Sequence, residues 1–237
     1  MDFTNLHVIV TGGTGSLGSS TVNLLLEQGA KISIPCYDQS ELEHVDFEDD
    51  DRIFISTGVN LTDENDAQQF FKSAVDKNGD LWASVHIAGG FGMGNIEDSS
   101  KDDFMKQINI NLVTCYNSCR YAVHHLRETG NGGRIVNIAS RPALEPRQGS
   151  GMTAYTTSKA GVAALTQSLA AEVVGDDILV NAIAPSIIDT PANRKAMPDA
   201  DYSSWPKPEE IASQIRYLVS PQNYVTRGGV IPVYGKS

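Results

Sequence analysis

Short apolar runs alternate with longer stretches of helical periodicity along the chain. Residues 6–10 form an apolar run closed by Thr11-Gly12-Gly13, the pattern of a buried strand entering a turn. Residues 19–28 place apolar side chains at helical spacing, and Gly29 stands where a helix end accommodates glycine. By the same reasoning strands are expected at 31–35, 52–56, 81–88, 133–139, 178–184 and 230–233. Helices are expected at 62–78, within 100–128, and at 153–173 and 208–219. Asp63 and Glu64 suit the first turn of the second helix, whose positive pole favours acids, and Gly79 lies near its end. Ser100 and Asp103 have the spacing of a capping box, with Asp in the usual Glu or Gln position. Strands separated by helices predict right-handed βαβ units and an α/β fold with a doubly wound parallel sheet of about seven strands and helices on both faces. No repeat or linker interrupts the pattern, so residues 1–237 are expected to form a single domain, with a short substrate loop at about 190–208.

Charge narrows the partners. The 237 residues carry a formal net charge of −11, which repels nucleic acid and anionic membrane, so neither is an expected partner. Residues 46–51 form an acidic run that reads as a solvated loop. No run of eighteen apolar residues exists, so no membrane-spanning helix is expected. The N-terminus lacks the basic start and apolar core of a signal peptide, which points to the cytoplasm. Cys36, Cys115 and Cys119 have no metal-ligand company in the sequence and read as buried thiols, with no metal expected. His86 reads as a hydrogen-bonded strand histidine, and His124 and His125 as solvent-facing helix residues.

Two motifs carry chemistry. Thr11-Gly12-Gly13-Thr14-Gly15-Ser16-Leu17-Gly18 falls between the first strand and the first helix. Glycine lets the backbone turn tightly and approach a ligand, and the following helix N-terminus offers free N–H groups to a pyrophosphate. This placement points to a dinucleotide and a Rossmann-type sheet. After the second strand come Cys36, Tyr37 and Asp38. None is basic, no Lys or Arg occurs in the glycine loop, and Asp38 opposes a 2′-phosphate. The cofactor expectation is therefore NAD(P), leaning to NAD(H). The second motif is Tyr155-x-x-x-Lys159, fifteen residues after Ser140. Positions i and i+4 share a helix face. A nearby ammonium favours the phenolate, which predicts a Tyr155 pKa tuned downward for proton transfer.

Together these features resemble the short-chain dehydrogenase/reductase family over essentially the full length. The resemblance rests on the glycine loop, Ala88-Gly89, Asn111 in Asn-Ile-Asn-Leu, Ser140 after Arg-Ile-Val-Asn-Ile-Ala, Tyr155 with Lys159, and residues 185–190. It implies an NAD(P)-dependent oxidoreductase that interconverts a carbonyl and an alcohol on a small molecule. Tyr155 would be the general acid/base and Ser140 would hold the substrate oxygen. Lys159 would bind the nicotinamide ribose and lower the Tyr155 pKa, and Asn111 would position a water that relays protons to Lys159. The cofactor would contact Gly12, Thr14, Gly15, Ser16, Leu17, Gly18, Tyr37, Asn60, Leu61, Ala88, Gly89, Tyr155, Lys159, Pro185, Ile188 and Thr190. The small-residue face of the Tyr155 helix (Ala160, Gly161, Ala163, Ala164) implies a homodimer or homotetramer.

Departures from the family pattern are visible too. Ser16 replaces a common glycine, His86 replaces an asparagine, Ser186 follows Pro185 in place of glycine, and the Ser140–Tyr155 interval is about two residues longer than usual. That interval predicts a bulge at 141–151 beside the substrate. Residues 88–95 and 189–205 resemble the matching segments of quinonoid dihydropteridine reductases, which lack the serine that this chain has at 140. Arg147 and Arg194 are candidates to meet an anionic substrate, although surface roles are the default. Pteridine reduction, a non-catalytic NAD(P)-binding regulator, and an epimerase or dehydratase with tightly held NAD stay open as alternatives.

Overall fold

Alternating apolar runs become the strands of one parallel sheet because βαβ crossovers cover both of its faces. The computed structural model describes residues 1–47 and 50–237. In chain order the elements are β1 (His7–Thr11), α1 (Ser16–Leu26), β2 (Lys31–Cys36), β3 (Ile53–Thr57), α2 (Glu64–Asn78) and β4 (Leu81–His86). Then follow α3 (Lys101–Gln107), α4 (Thr114–Thr129), β5 (Gly133–Ile138), α5 (Arg141–Leu144), α6 (Thr153–Glu172), β6 (Ile178–Pro185), α7 (Pro191–Ala196), α8 (Pro208–Val219) and β7 (Val230–Val233). The seven strands lie in the order β3-β2-β1-β4-β5-β6-β7, and every pairing is parallel. Strand order therefore reverses direction between β1 and β4. In such sheets that is where two loops diverge and leave a crevice at the carboxyl edge.

Neighbouring residues on a strand face opposite layers. Val8 and Val10 join Ile32, Ile34, Val22, Leu25, Ile211 and Ile215 in the core on the α1/α8 side. Ile9 joins Phe70, Phe71, Ala122, Leu126 and Val162 on the α2/α4/α6 side. Burial on both faces explains why the strands read as continuous apolar runs and not as alternation. The two cores sandwich the sheet and fix its carboxyl edge as a rigid platform.

Several local expectations need adjustment. α1 begins at Ser16, three residues earlier than its apolar spacing suggested, because Gly15 serves as its N-cap. Asp63 is the N-cap of α2, its carboxylate accepting from the Asn65 and Asp66 N–H groups. β4 stops at His86, so Ile87 and Ala88 belong to the loop that follows. The capping box of Ser100 and Asp103 is formed. The helical region after it is not uniform: residues 108–113 form a π-helical segment between α3 and α4. The long Ser140–Tyr155 interval is taken up by α5 and a 3₁₀ turn at Pro146–Gly149, and the expected substrate loop contains α7. Within the acidic stretch, Glu48 and Asp49 lie outside the described residues, and Asp50 accepts hydrogen bonds from the Arg52 guanidinium at 3.0 and 2.6 Å. His124 is exposed, whereas His125 is half-buried. The small-residue face of α6 is used partly within the chain: a Cβ on Gly161 would stand 2.7 Å from Leu112 Cδ2, and Ala163 is buried.

At the amino edge, buried His7 ties β1 to its neighbours. Its Nδ1 donates to the Gly79 carbonyl at 2.8 Å, which leaves Nε2 to accept from the Ser33 hydroxyl at 2.8 Å. Burial pushes the His7 pKa down from 6.5 to about 4, opposed in part by the hydrogen bond to Gly79. Between those values the unfolded chain binds a proton that the folded one refuses. This contribution to stability is therefore full above pH 6.5 and is lost as pH falls towards 4. In urea unfolding, His7→Gln is expected to lose less stability than the wild type between pH 6.5 and 4. Parallel pH profiles for the two proteins would contradict this account of His7.

Candidate functional site

The turn after β1 and the loop after β4 meet at the reversal point with no space to spare. Gly12 has φ +66°, and a Cβ there would lie 2.7 Å from the Ala88 nitrogen. Thr11 joins the two segments: its carbonyl accepts from Ile87 N–H at 3.1 Å and its hydroxyl from Ala88 N–H at 3.2 Å. At Gly18 a Cβ would fall 1.9 Å from the Gly12 carbonyl oxygen. The loop therefore folds back tightly onto the first turn of α1. No side chain caps that turn, so its N–H groups and the positive end of the helix dipole face the cleft. A cradle of backbone donors that excludes side chains fits a pyrophosphate.

The cleft above this cradle measures about 1590 Å³. Of the residues expected to hold a cofactor, Gly12, Thr14, Gly15, Ser16, Leu17, Gly18, Tyr37, Asn60, Leu61, Ala88 and Gly89 all line it. Tyr155, Lys159, Pro185, Ile188 and Thr190 do not. Pro185 ends β6, Ile188 packs at the edge of the α1/α8 core, and Thr190 caps α7 by accepting from Asn193 N–H at 3.2 Å. Their neighbours Pro191 and Ala192 reach the cleft instead. Asp38 serves the local backbone, accepting from Ser40 N–H at 3.0 Å and capping a 3₁₀ turn at Gln39–His44. That turn carries Glu41 into the cleft, where it accepts a hydrogen bond from the Thr14 hydroxyl. The acid next to the glycine loop is thus Glu41, which sequence reasoning missed. Its signal was an acid five residues past the strand end, where only a turn could bring it back.

Beyond Gly89 the expected catalytic residues stand as two pairs, Asn111 with Lys159 at Gly89 and Ser140 with Tyr155. Asn111 sits in the π-helical segment and is buried. It accepts from Gly90 N–H at 3.1 Å and donates to the Gly90 carbonyl at 2.9 Å, clamping the loop after β4. Lys159, on α6 and 6% exposed, donates to the Ile138 carbonyl at 2.8 Å. A Cβ on Gly89 would meet Asn111 Oδ1 at 2.6 Å and Lys159 Nζ at 3.5 Å, so both side chains converge on this glycine. Burial pushes the Lys159 pKa down from 10.5 to about 8, with Cys115 acting in the opposite direction. Ser140 closes β5 as the N-cap of α5, and its buried hydroxyl has no hydrogen-bond partner among the described residues.

Tyr155 behaves differently from the sequence expectation. Burial raises its pKa above the ordinary value of 10, and the adjacent Ser140 hydroxyl draws it part of the way back. The Ser140 hydroxyl stands close enough to the phenol to favour its ionised form, but the pair falls short of hydrogen-bond geometry. The expected downward shift from Lys159 is not present. Desolvation dominates, and the lysine ammonium is committed to Ile138.

The cysteines have more company than their sequence positions showed. Ligand atoms of His86, Cys115 and Cys119 lie within 4.8 Å of one another, all buried. His86 already uses both nitrogens, Nδ1 towards Asn137 Oδ1 at 2.7 Å and Nε2 towards Ser84 Oγ at 2.8 Å. Asn137 is oriented by donating to Thr166 Oγ1 at 2.9 Å, so its oxygen faces His86. The cluster therefore reads as a closed hydrogen-bond network, and a metal would have to break it. The Cys115 thiol is held below its ordinary pKa, chiefly by the Cys119 thiol, with lesser help from His86 and Lys159. The two arginines also separate: Arg147 is exposed on the 3₁₀ turn before α6, whereas Arg194 is locked on Asp189 at 2.6 and 2.8 Å and stacks over Tyr202. It is not free to meet an anion.

Comparison with known proteins agrees with this geometry. The short chain dehydrogenase family model matches residues 6–201. An uncharacterized oxidoreductase of Thermotoga maritima is 30% identical, covering 100% of this chain and 99% of its own. A 3-hydroxyacyl-CoA dehydrogenase type-2 of Drosophila melanogaster is also 30% identical, with 98% of this chain and 96% of its own covered. A short-chain type dehydrogenase/reductase from Mycobacterium ulcerans superposes with a TM-score of 0.89 at 23% identity over 100% of this chain and 90% of that one, and shows the shared fold. The glycine cradle at the reversal point, the sheet order and the matched span together place this chain in the short-chain dehydrogenase/reductase family, as an NAD(P)-dependent oxidoreductase.

Proposed function

We propose that this chain interconverts a carbonyl and an alcohol on a small organic substrate, with Tyr155 as general acid/base. The observation that carries this reading is the convergence of Asn111 and Lys159 on Gly89, a residue of the dinucleotide cleft, with Ser140 beside Tyr155. Hydride transfer is the chemistry a bound nicotinamide supplies. Ser140 has a buried hydroxyl in need of a partner, which suits it to hold the substrate oxygen. Tyr155 gives that oxygen a proton during reduction and takes it back during oxidation. A phenol raised by burial is a weaker acid and is scarcely ionised near neutral pH, so both directions gain from a lysine ammonium freed from Ile138 and brought to bear on it. Lys159, with a pKa of about 8, can pass a proton onward near neutral pH. Asn111 holds the Gly90 loop in place, and we assign it the proton-relay position beside Lys159.

The nucleotide reading is NAD(H). Glu41 lies beside the glycine loop on Thr14, where its carboxylate suits ribose hydroxyls and repels a 2′-phosphate. We further read residues 1–237 as one working unit, a cytoplasmic homodimer or homotetramer. No described helix is long and apolar enough to cross a membrane.

Tyr155→Phe is expected to lower kcat by about 10²–10⁴-fold while NADH affinity, measured by nicotinamide fluorescence, stays as in the wild type. Turnover retained across a panel of carbonyls would remove Tyr155 as the acid. In the same titration the wild type is expected to bind NADH at least about tenfold more tightly than NADPH, and Glu41→Gln to shrink that ratio. Tighter NADPH binding by the wild type would overturn the role given to Glu41.

A further inference from the structure

The loop after β4 presents an aromatic ring where the reaction would take place. Phe91 is 60% exposed although it is a large apolar residue. Its ring stands edge-on to Tyr155, with centroids 5.0 Å apart and planes at 79°. Exposure of this kind in a loop commonly means a mobile side chain. Here the loop is pinned on both sides of Phe91. Gly90 is clamped by Asn111 through two hydrogen bonds. Gly94 N–H donates to the Gly151 carbonyl at 2.8 Å and pairs as an isolated bridge with Met152, just before α6. Between these anchors Gly92 packs on the Gln107 amide, where a Cβ would stand 2.8 Å from Nε2. Met93, 69% exposed, extends the apolar surface over Gly151.

We infer that Phe91 selects the substrate, and that the preferred class is a carbonyl compound bearing a planar aromatic or conjugated ring on the carbonyl carbon or next to it. The inference rests on the proposed role of Tyr155. A substrate whose oxygen lies at the Tyr155 hydroxyl carries its substituents within reach of a ring 5.0 Å from that tyrosine. A rigid, exposed aromatic face gains most from another flat ring, by offset stacking and by removal of both faces from water. A small alkyl group covers little of Phe91 and benefits little. Ordering on the protein costs a flat, conjugated substrate less entropy than it costs a flexible chain.

The test compares 1-phenylpropane-1,2-dione with butane-2,3-dione, which share the dicarbonyl and differ in the ring. With NADH as reductant, the wild type is expected to favour the phenyl compound in kcat/KM. Phe91→Ala is expected to reduce the phenyl-to-methyl ratio at least tenfold, chiefly through KM, and Phe91→Tyr to restore it. A ratio unchanged by Phe91→Ala, or one not restored by Phe91→Tyr, would overturn the inference. Should the wild type reduce neither compound while binding NADH, the reaction proposed above is what fails. Phe91 is then judged by binding, with Phe91→Trp as a fluorescent probe in the NADH complex. Saturable quenching by the phenyl compound, absent with butane-2,3-dione, supports the ring site, and no difference between the two overturns it.

Discussion

The rest of the molecule depends on one steric constraint: the close approach of Gly12 to Ala88 at the point where strand order reverses. A Cβ at Gly12 would stand 2.7 Å from the Ala88 nitrogen. The contact locks the turn after β1 to the loop after β4, and the hydrogen bonds from Ile87 and Ala88 to Thr11 complete the seam. On one side of it lies the N-terminal end of α1, which no side chain caps. On the other the chain runs through Gly89 and Gly90 into the grip of Asn111. The glycine cradle and the proposed proton chemistry thus lie along one edge, and the two apolar cores hold that edge from both sides.

The chemistry sits on buried polarity that the fold tolerates only in part. Lys159 gives up much of its hydration, is satisfied by the Ile138 carbonyl, and has its pKa driven down to about 8. Ser140 keeps a buried hydroxyl without a partner among the described residues. Tyr155 is pushed in the direction that makes it hold its proton. An unmet hydroxyl and a desolvated ammonium cost stability. In the proposed reaction the hydroxyl is suited to an oxygen that arrives with the substrate. The π-helical segment at Asn111 belongs to the same pattern, since such segments are frequent at functional sites.

Most of the fold was legible because both strand faces are buried and their apolar runs are unbroken. The glycine loop and the Tyr155–Lys159 spacing were legible because steric and helical periodicity act locally. What could not be read arises from tertiary effects. Glu41 and Asp38 exchange roles because a 3₁₀ turn folds back over Thr14. Pro185, Ile188 and Thr190 leave the cleft lining to Pro191 and Ala192 because α7 starts there. The downward shift expected for Tyr155 gives way to desolvation, whose size depends on packing around the ring. Cys115 and Cys119 meet His86 only because α4 lies against β4. Phe91 read as one residue in a glycine-rich loop until its anchors at Gly90 and Gly94 were known.

The central claim is that cofactor and proton donor meet along this single carboxyl edge. Amide hydrogen exchange with and without saturating NADH tests it most directly. Slower exchange is expected at residues 12–19, at 60–62 and at 88–91, together with the first turns of α6. Protection confined to the α2/α4/α6 surface around Tyr116, Arg120 and Leu169, or no protection at the glycine loop, would contradict it.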